Sequence, residues 1–249
     1  MQYGICNLSI VPLRAGPSDP SEMVSQVFYG EHFKVLEPQK KWSKIRLAYD
    51  QYEGWIDNKQ YLEITETQYH NLDQKEICFS GDLVEFVNCS QDQLLAIPLG
   101  ASLGALEFFN HTYDGHTLTK KRSKEHLIDT AFLYLNAPYL WGGKTSFGID
   151  CSGFTQMVYK LNGHKLLRDA SQQATQGEVL SFIEESDPGD LAFFDNEEGA
   201  ITHVGMMLQD NHIIHAHGKV RVDRIDHTGI YNAEKRAYTH NLRVIKRII

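Results

Sequence analysis

The sequence contains no apolar run of about 18 residues, the length that a membrane-spanning helix needs, so no membrane partner is expected. Its few cysteines, Cys6, Cys78, Cys89 and Cys151, are scattered and form no CxxC pair. A zinc ribbon or a disulfide-built scaffold is therefore not expected. The chain also lacks an excess of basic residues, because its formal net charge is −8. That charge argues against non-specific binding to nucleic acid.

The remaining composition is that of an ordinary globular protein. The 249 residues are 42% hydrophobic and 22% charged, enough chain for one to three domains with a real core. Residues 1–6 lack a basic segment followed by a long apolar one. We therefore expect a cytoplasmic protein; a periplasmic or secreted protein whose signal peptide has been removed is the alternative.

The first half of the chain is a series of short strand patterns. Residues 1–64 carry several short apolar runs separated by turn residues, among them the period-two run Trp42–Leu47. Runs this short predict a small β-barrel. Residues 65–120 form a second, degenerate block of the same kind, with its clearest pieces at 79–86 and 96–103.

Residues 121–249 have a different pattern, with helices first and strands afterwards. Apolar residues at helical spacing run from Lys124 to Asn136 and stop before Pro138. A second helix follows Asp150, and a series of short apolar runs then extends to the C-terminus. Helix first and antiparallel strands later predict an α+β domain.

Cys151 stands at the start of the second of these helices. The dipole of a helix favours thiolate over thiol at its N-terminus. His203 and His215 lie downstream on two neighbouring strand patterns, which can present both imidazoles on one face. A lone histidine is more often a satisfied core or surface residue. A cysteine followed by two such histidines indicates a papain-like nucleophile, base and orienting group.

Two residues beside Cys151 have candidate roles of their own. Asp150 is well suited to cap the helix, and its carboxylate can also accept a substrate ammonium, since a cap uses only part of its acceptor capacity. The backbone N–H of Cys151, with Ser152 nearby, is the predicted donor to an oxyanion.

Several short motifs of the chain are informative in their order and spacing. In the C-terminal block they are Tyr139–Gly143, Asp150–Phe154, Pro188–Leu191, His203–Gly205 and Ile214–Ala216, and in the first block Val11–Arg14, Trp42–Arg46 and Tyr52–Ile56. By these motifs the C-terminal block, about half of the chain, strongly resembles the NlpC-type cysteine peptidases, a papain-like superfamily that cleaves bacterial cell-wall peptides. The first block resembles bacterial SH3-like domains. Together the resemblances imply a papain-like α+β catalytic domain at residues 121–249 preceded by two all-β SH3-like barrels, at 1–64 and 65–120.

The resemblance implies roles for the site residues. Cys151 would be the nucleophile, His203 the base and His215 the group that orients the base. Tyr139 and Trp141, aromatic residues that elsewhere are more often core, would line the substrate groove. Neither a cofactor nor a metal is expected.

The two-barrel members of the family imply a substrate. In them the first barrel closes one end of the cleft, so that the peptide must carry a free N-terminal L-Ala. Its ammonium would meet a glutamate and a tyrosine, here Glu22 and Tyr52, with Asp150 completing the set. Arg168 and Asp169 match the pair of residues that follows the catalytic helix, but Ala170 stands where the family has a serine for the γ-D-Glu carboxylate.

The expected activity is therefore that of a cysteine peptidase of the γ-D-glutamyl-L-diamino acid endopeptidase type. Its substrates would be murein tri- and tetrapeptides, L-Ala-γ-D-Glu-diamino acid, in cell-wall recycling, and the enzyme would be a monomer. Two alternatives remain open: an acyltransferase or amidase of the same superfamily, and a non-catalytic module that binds the cell wall.

Overall fold

The computed structural model describes residues 1–89 and 93–249. The chain divides into two compact units, Met1–Lys121 together with Trp141–Thr145, and Arg122–Leu140 together with Ser146–Ile249. Among the described residues, no helix has both the length and the apolar character needed to cross a membrane.

The first unit is built mainly on an antiparallel sheet of seven strands. Buried residues alternate with more exposed ones in strands such as Trp42–Leu47, where every second side chain points to the core. The core contains Val11, Val27, Phe33 and Ile45, all fully buried. The strand order is β3-β2-β6-β5-β4-β1-β7, with bounds β1 Gln2–Ile5, β2 Ile10–Arg14, β3 Met23–Phe28, β4 His32–Pro38, β5 Trp42–Leu47, β6 Glu53–Asp57 and β7 Leu62–Ile64.

The rest of the first unit contains short elements. Helix α1 begins after Thr65, whose side chain accepts from the N–H of Gln68 while the Gln68 side chain accepts from the Thr65 N–H. Strands β9 to β11 form a three-stranded sheet, and β8 pairs with β12. The second SH3-like barrel stays a prediction. The bounds are α1 Glu66–Asp73, β8 Phe79–Ser80, β9 Val84–Cys89, β10 Gln93–Pro98, α2 Leu106–Phe109, β11 Thr112–Tyr113, β12 Thr117–Leu118 and β13 Lys144–Thr145, with 3-10 turns at Asn58–Gln60 and Leu103–Ala105.

The second unit places helices before an antiparallel sheet, as the sequence pattern predicts. The predicted helix from Lys124 to Asn136 is helical only over His126–Phe132, and Asn136 has a positive φ of 68°. The sheet order is β15-β21-β16-β17-β18-β19-β20, and β21 also pairs with β20. The bounds are α3 His126–Phe132, β14 Gly148–Ile149, α4 Cys151–Leu161, α5 Ala170–Gln173, β15 Glu178–Leu180, β16 Leu191–Asp195, β17 Ile201–Met207, β18 His212–His217, β19 Lys219–Ile225, β20 Gly229–Asn232 and β21 Ala237–Arg247, with a 3-10 turn at Ile183–Glu185.

Helix α4 is the central element of this unit, because all eleven of its residues are buried. It packs against β17 and β18. The apolar residues that predicted it, Phe154, Met157, Val158 and Leu161, all lie in the core. This packing brings the first turn of α4 against the strand that carries His203.

Candidate active site

Cys151 is the first residue of α4, and its side chain is 6% exposed. Asp150 precedes it in an extended conformation, and its Oδ1 accepts a hydrogen bond from the backbone N–H of Gly153 at 2.6 Å. Asp150 is therefore the N-cap of the helix, one of the two roles considered for it. The N–H groups of the first helical turn lack partners within the helix, which leaves the Cys151 N–H suited to bind an oxyanion.

The Asp150 carboxylate forms a buried ion pair with Arg168. The two guanidinium Nη atoms lie 3.0 Å from Oδ1 and 2.6 Å from Oδ2. Nη1 of Arg168 also donates to Oγ of Ser152 at 3.0 Å. Arg168 is only 1% exposed. Of the residues predicted to bind substrate, the structure thus brings Asp150, Ser152 and Arg168 together, in a network that fixes the start of helix α4.

The sulfur of Cys151 lies in a place that disfavours charge. Burial raises the pKa of Cys151 to about 12, and the negative charge of Asp150 acts in the same direction. Hydrogen bonds from the backbone of Val204 and Ser152 and the charge of Arg168 lower this pKa but do not offset burial. The helix dipole was expected to favour a thiolate; burial instead favours a neutral thiol before substrate binds.

His203 and His215 form a hydrogen-bonded pair across β17 and β18. Nε2 of His203 lies 2.8 Å from Nδ1 of His215. In the strand register His215 is opposite Gly205, so the two imidazoles are diagonal neighbours on one face. A Cβ at Gly205 would lie 2.9 Å from Cβ of His215 and 2.7 Å from Cδ1 of Ile213. Glycine at 205 therefore leaves room for the His215 side chain.

Asp223 extends this pair and was not found by sequence reasoning. It lies on β19 with its Oδ2 3.1 Å from Nε2 of His215, and it is 7% exposed. Arg221 lies on its other side, with Nη2 donating to Oδ1 at 3.0 Å. The sequence signal that could have indicated Asp223 is Gly218, which has a φ of 72° and forms the hairpin turn between β18 and β19. The hairpin pairs Ile213 with Asp223, so the carboxylate comes diagonal to His215.

His240 is the second residue that sequence reasoning missed. Its ring, on β21, stacks on that of His203 with centroids 4.2 Å apart and planes at 25°. Phe194 on β16 packs against His203 as well, with ring centroids 5.7 Å apart. Burial lowers the pKa of His240 to about 4, and burial together with the neighbouring histidines lowers the pKa of His203 well below its usual range. Both rings are therefore neutral near pH 7.

His217 is a further member of the histidine cluster around His203. Within residues 1–89 and 93–249, no group of three or more histidine, cysteine or acidic side chains is arranged to hold a metal ion. His217, at the end of β18, lies with its ring at right angles to that of His240, at a centroid distance of 4.8 Å. The cluster is a set of aromatic contacts around the His203 ring.

The predicted groove aromatics differ in their surroundings. Tyr139 is half-buried in the second unit; burial and the nearby Cys151 and Asp150 raise its pKa to about 12. Trp141 belongs to the first unit, is 59% exposed, and donates from Nε1 to Oε1 of the exposed Glu22 at 2.5 Å. The structure thus joins two predicted substrate residues, Glu22 and Trp141, by a direct hydrogen bond.

The remaining predicted residues occupy simple local positions. Tyr52 is half-buried and packs against the core of the seven-stranded sheet, and its N–H donates to Oδ1 of Asp50 at 3.0 Å. Asp169 precedes α5, and its N–H donates to the Gln172 side chain at 3.0 Å. Ala170 is 8% exposed. The substrate contacts predicted for these residues stay predictions.

The sequence and fold are similar to those of known proteins. Residues 136–240 match the NlpC/P60 family, and residues 13–60 match the bacterial dipeptidyl-peptidase SH3 domain. The chain is 30% identical to the gamma-D-glutamyl-L-lysine dipeptidyl-peptidase of Bacillus subtilis over 82% of this chain and 75% of that protein. It is 28% identical to dipeptidyl-peptidase 6 of Lysinibacillus sphaericus over 86% of this chain and 88% of that one.

A solved structure shares the fold along the whole chain. The crystal structure of an NlpC/P60 family protein from Bacillus cereus matches with a TM-score of 0.78, covering 99% of both chains at 17% identity. The papain-like domain with a preceding SH3-like domain, as predicted from the sequence, is therefore confirmed.

Proposed function

Since the chain belongs to the NlpC/P60 family and is a cysteine peptidase, we propose that it cleaves murein peptides between γ-D-glutamate and the diamino acid. The substrate would carry a free N-terminal L-alanine. Relatives named for gamma-D-glutamyl-L-lysine dipeptidyl-peptidase activity, similar over most of the chain, support this choice of bond.

One observation carries the proposal: the sulfur of Cys151 lies beside β17, the strand that carries His203. The backbone of Val204 hydrogen bonds to that sulfur, and Val204 directly follows His203. His203 uses Nε2 for His215, so Nδ1 is the nitrogen that remains to take a proton from the thiol. A buried thiol whose pKa is high needs such a base to become a nucleophile.

Acylation begins when the sulfur attacks the γ-carbonyl carbon of the D-glutamyl residue and the thiol proton passes to Nδ1 of His203. The carbonyl oxygen gains negative charge, which the Cys151 N–H at the start of α4 stabilises. The C–N bond then breaks, and His203 donates its proton to the amine of the leaving diamino acid. The product at this stage is a thioester on Cys151.

Deacylation repeats the same proton path with water. His203 removes a proton from water as the water oxygen attacks the thioester carbon. The C–S bond breaks, the thiolate regains its proton from His203, and L-Ala-D-Glu is released. Every step uses groups of the chain, the substrate and water.

Selection of the free amino end would rest on negative charge. Glu22 and Tyr52, both in the first unit, are proposed to meet the substrate ammonium. Glu22 is exposed and oriented by the Trp141 indole, which suits it to meet a cation from solution. Such a requirement fits the recycling of short cell-wall fragments; the cytoplasmic location and the monomeric state also stay predictions.

The test is product analysis by mass spectrometry with L-Ala-γ-D-Glu-L-Lys and with the diaminopimelate tripeptide. We expect L-Ala-D-Glu and the free diamino acid from the native protein. Cys151→Ala should abolish turnover without unfolding the protein, because the thiol is the only covalent catalyst proposed. Cys78→Ala, at a half-buried cysteine in the first unit, is the matched control and should keep turnover.

Other products would contradict the proposal in identifiable ways. Release of alanine would place cleavage at a different bond. Transfer of the acyl group to an added amine in place of water would identify an acyltransferase. Binding of the peptide with no turnover by the native protein would indicate the non-catalytic wall-binding module.

A further inference from the structure

The imidazole pair of the site can hold its protons in two arrangements, and only one of them is catalytic. In one, His203 carries its proton on Nε2 and donates to Nδ1 of His215, which leaves Nδ1 of His203 bare. In the other, His215 donates from Nδ1 to Nε2 of His203, and Nδ1 of His203 carries a proton. A protonated Nδ1 cannot accept the proton of the Cys151 thiol.

The hydrogen bond between the two rings does not choose between these arrangements. A distance of 2.8 Å between Nε2 of His203 and Nδ1 of His215 suits either direction of donation. Both rings are buried and neutral, because burial lowers the pKa of each. The choice therefore depends on what the far nitrogen of His215 contacts.

That nitrogen faces a carboxylate. Nε2 of His215 lies 3.1 Å from Oδ2 of Asp223. An ionised carboxylate accepts hydrogen bonds and donates none, so it requires the proton of His215 to be on Nε2. A neutral ring with a proton on Nε2 has a bare Nδ1, which can only accept from His203.

Arg221 keeps that carboxylate ionised. Its Nη2 donates to Oδ1 of Asp223 at 3.0 Å, and its Nε lies 2.7 Å from Oδ2. Burial raises the pKa of Asp223, but the hydrogen bonds and charges of His215 and Arg221 outweigh burial and lower it overall. Glu234, 3.3 Å from Arg221 Nη1, holds the other side of the guanidinium.

From this geometry we infer that Asp223 is a positioning residue, which selects the proton arrangement of His215 and His203 that leaves Nδ1 of His203 free for Cys151. Asp223 acts through two rings and touches neither the substrate nor the sulfur. The inference rests on the proposed function for its catalytic consequence, whereas the proton arrangement itself is a property of the free protein.

The kinetic test is Asp223→Asn, which keeps the shape of the side chain. An amide can turn its NH₂ group towards His215, so the variant no longer requires the proton of His215 to be on Nε2. With L-Ala-γ-D-Glu-L-Lys we expect kcat to fall about 10²-fold and KM to change less than about twofold. The loss is smaller than the roughly 10⁴-fold effect of the same change at a carboxylate that contacts the base directly. Asp226→Asn is the matched control: Asp226 bonds to Tyr238 and the Thr228 N–H, and its replacement should leave kcat unchanged.

The spectroscopic test does not depend on turnover. Nitrogen-15 NMR of histidine-labelled protein distinguishes bare from protonated ring nitrogens, with the signals assigned by their loss in His203→Gln and His215→Gln. In the native protein near pH 7.5 we expect bare Nδ1 and protonated Nε2 for both rings. In Asp223→Asn, the Nδ1 of His215 should become partly or fully protonated.

Both tests have outcomes that contradict the inference. A protonated Nδ1 of His203 in the native protein, or a kcat of Asp223→Asn equal to that of Asp226→Asn, would overturn the inference. If Asp223→Asn fails to fold by circular dichroism, the native spectrum alone decides. Failure of the proposed function looks different: the native protein would leave the murein peptide uncut while the NMR pattern stayed as expected.

Discussion

The two sides of the candidate active site hold their polar groups in opposite ways. On the side of helix α4, Asp150 and Arg168 form a charged pair that is almost fully buried, with nitrogen–oxygen distances of 2.6 and 3.0 Å. On the side of strands β17 and β18, His203 and His215 are also buried, but they are neutral and joined by one hydrogen bond. One side is fixed by opposite charges, and the other by rings that can exchange a proton.

The difference follows from what each side must do. A buried ion pair is costly to separate, so the Asp150–Arg168 pair keeps the start of α4, and with it Cys151, in one position. A group that takes and returns a proton has to be stable in both states, which a neutral imidazole with further partners allows. The permanently charged pair is therefore found at the start of α4, the part of the site that has to stay in one position.

The largest effect is expected from breaking the charged side. Arg168→Met leaves the Asp150 carboxylate buried without its main counter-charge, and we expect the free energy of unfolding to fall by about 3–5 kcal/mol. Urea unfolding measures this change. Turnover per folded molecule should fall too, because the helix cap loses its support.

Two controls make that test specific. Arg243→Met removes an arginine that is 65% exposed and 3.7 Å from Asp195, and it should cost less than about 1 kcal/mol. The double variant Arg168→Met with Asp150→Asn removes both charges and should regain part of the lost stability. Equal losses for Arg168→Met and Arg243→Met would show that the buried pair has no special role.

The sequence predicted the parts of the site that depend on local pattern. Cys151 stands at a helix start that its own neighbours define, because the Asp150 cap and the spacing of Phe154 and Met157 are local signals. His203 and His215 were predicted from their order and neighbours, as members of a family pattern. The capping role of Asp150 was likewise accessible from sequence.

The residues that were missed depend on strand pairing across the sheet. Asp223 meets His215 through the register of β18 with β19, and Lys219–Arg224 looks from sequence like a strand with a solvated face. His240 reaches His203 from β21, which is far away in the chain. Such contacts require a register, and a single sequence does not specify it. For the same reason residues 65–120 gave strand patterns but no secure architecture.

A smaller effect is expected from acid, which should destabilise the histidine side of the site through protonation of its buried rings. Burial lowers the pKa of His240 to about 4, whereas an unfolded chain protonates histidine near pH 6.5. Between these values the unfolded state binds more protons than the folded state, so stability present above pH 6.5 is lost as the pH falls. His203 and His215, whose pKa values are also lowered, add to this loss. Urea unfolding at several pH values between 7.5 and 4.5 should show it.

His240→Phe sharpens this test because it keeps an aromatic ring next to His203 and removes one titrating group. We expect the dependence of unfolding free energy on pH to become shallower by up to about one proton below pH 6.5. The control is His227→Phe, which removes an exposed histidine of the same unit. Equal slopes for the native protein and His240→Phe would place the acid sensitivity elsewhere.

The smallest effect is expected at Glu22, far along the chain from both sides of the candidate active site. Glu22→Gln keeps an oxygen that can accept from the Trp141 indole but removes the charge. If Glu22 meets the substrate ammonium, KM for L-Ala-γ-D-Glu-L-Lys should rise by roughly 1.4- to fivefold, the scale of an exposed ion pair of about 0.2–1 kcal/mol. N-acetylated substrate should show no such difference between the two proteins, and Glu37→Gln, another exposed glutamate of the first unit, should behave like the native enzyme. A rise in KM that is the same for free and acetylated peptides would mean that Glu22 acts through the Trp141 indole and not through charge.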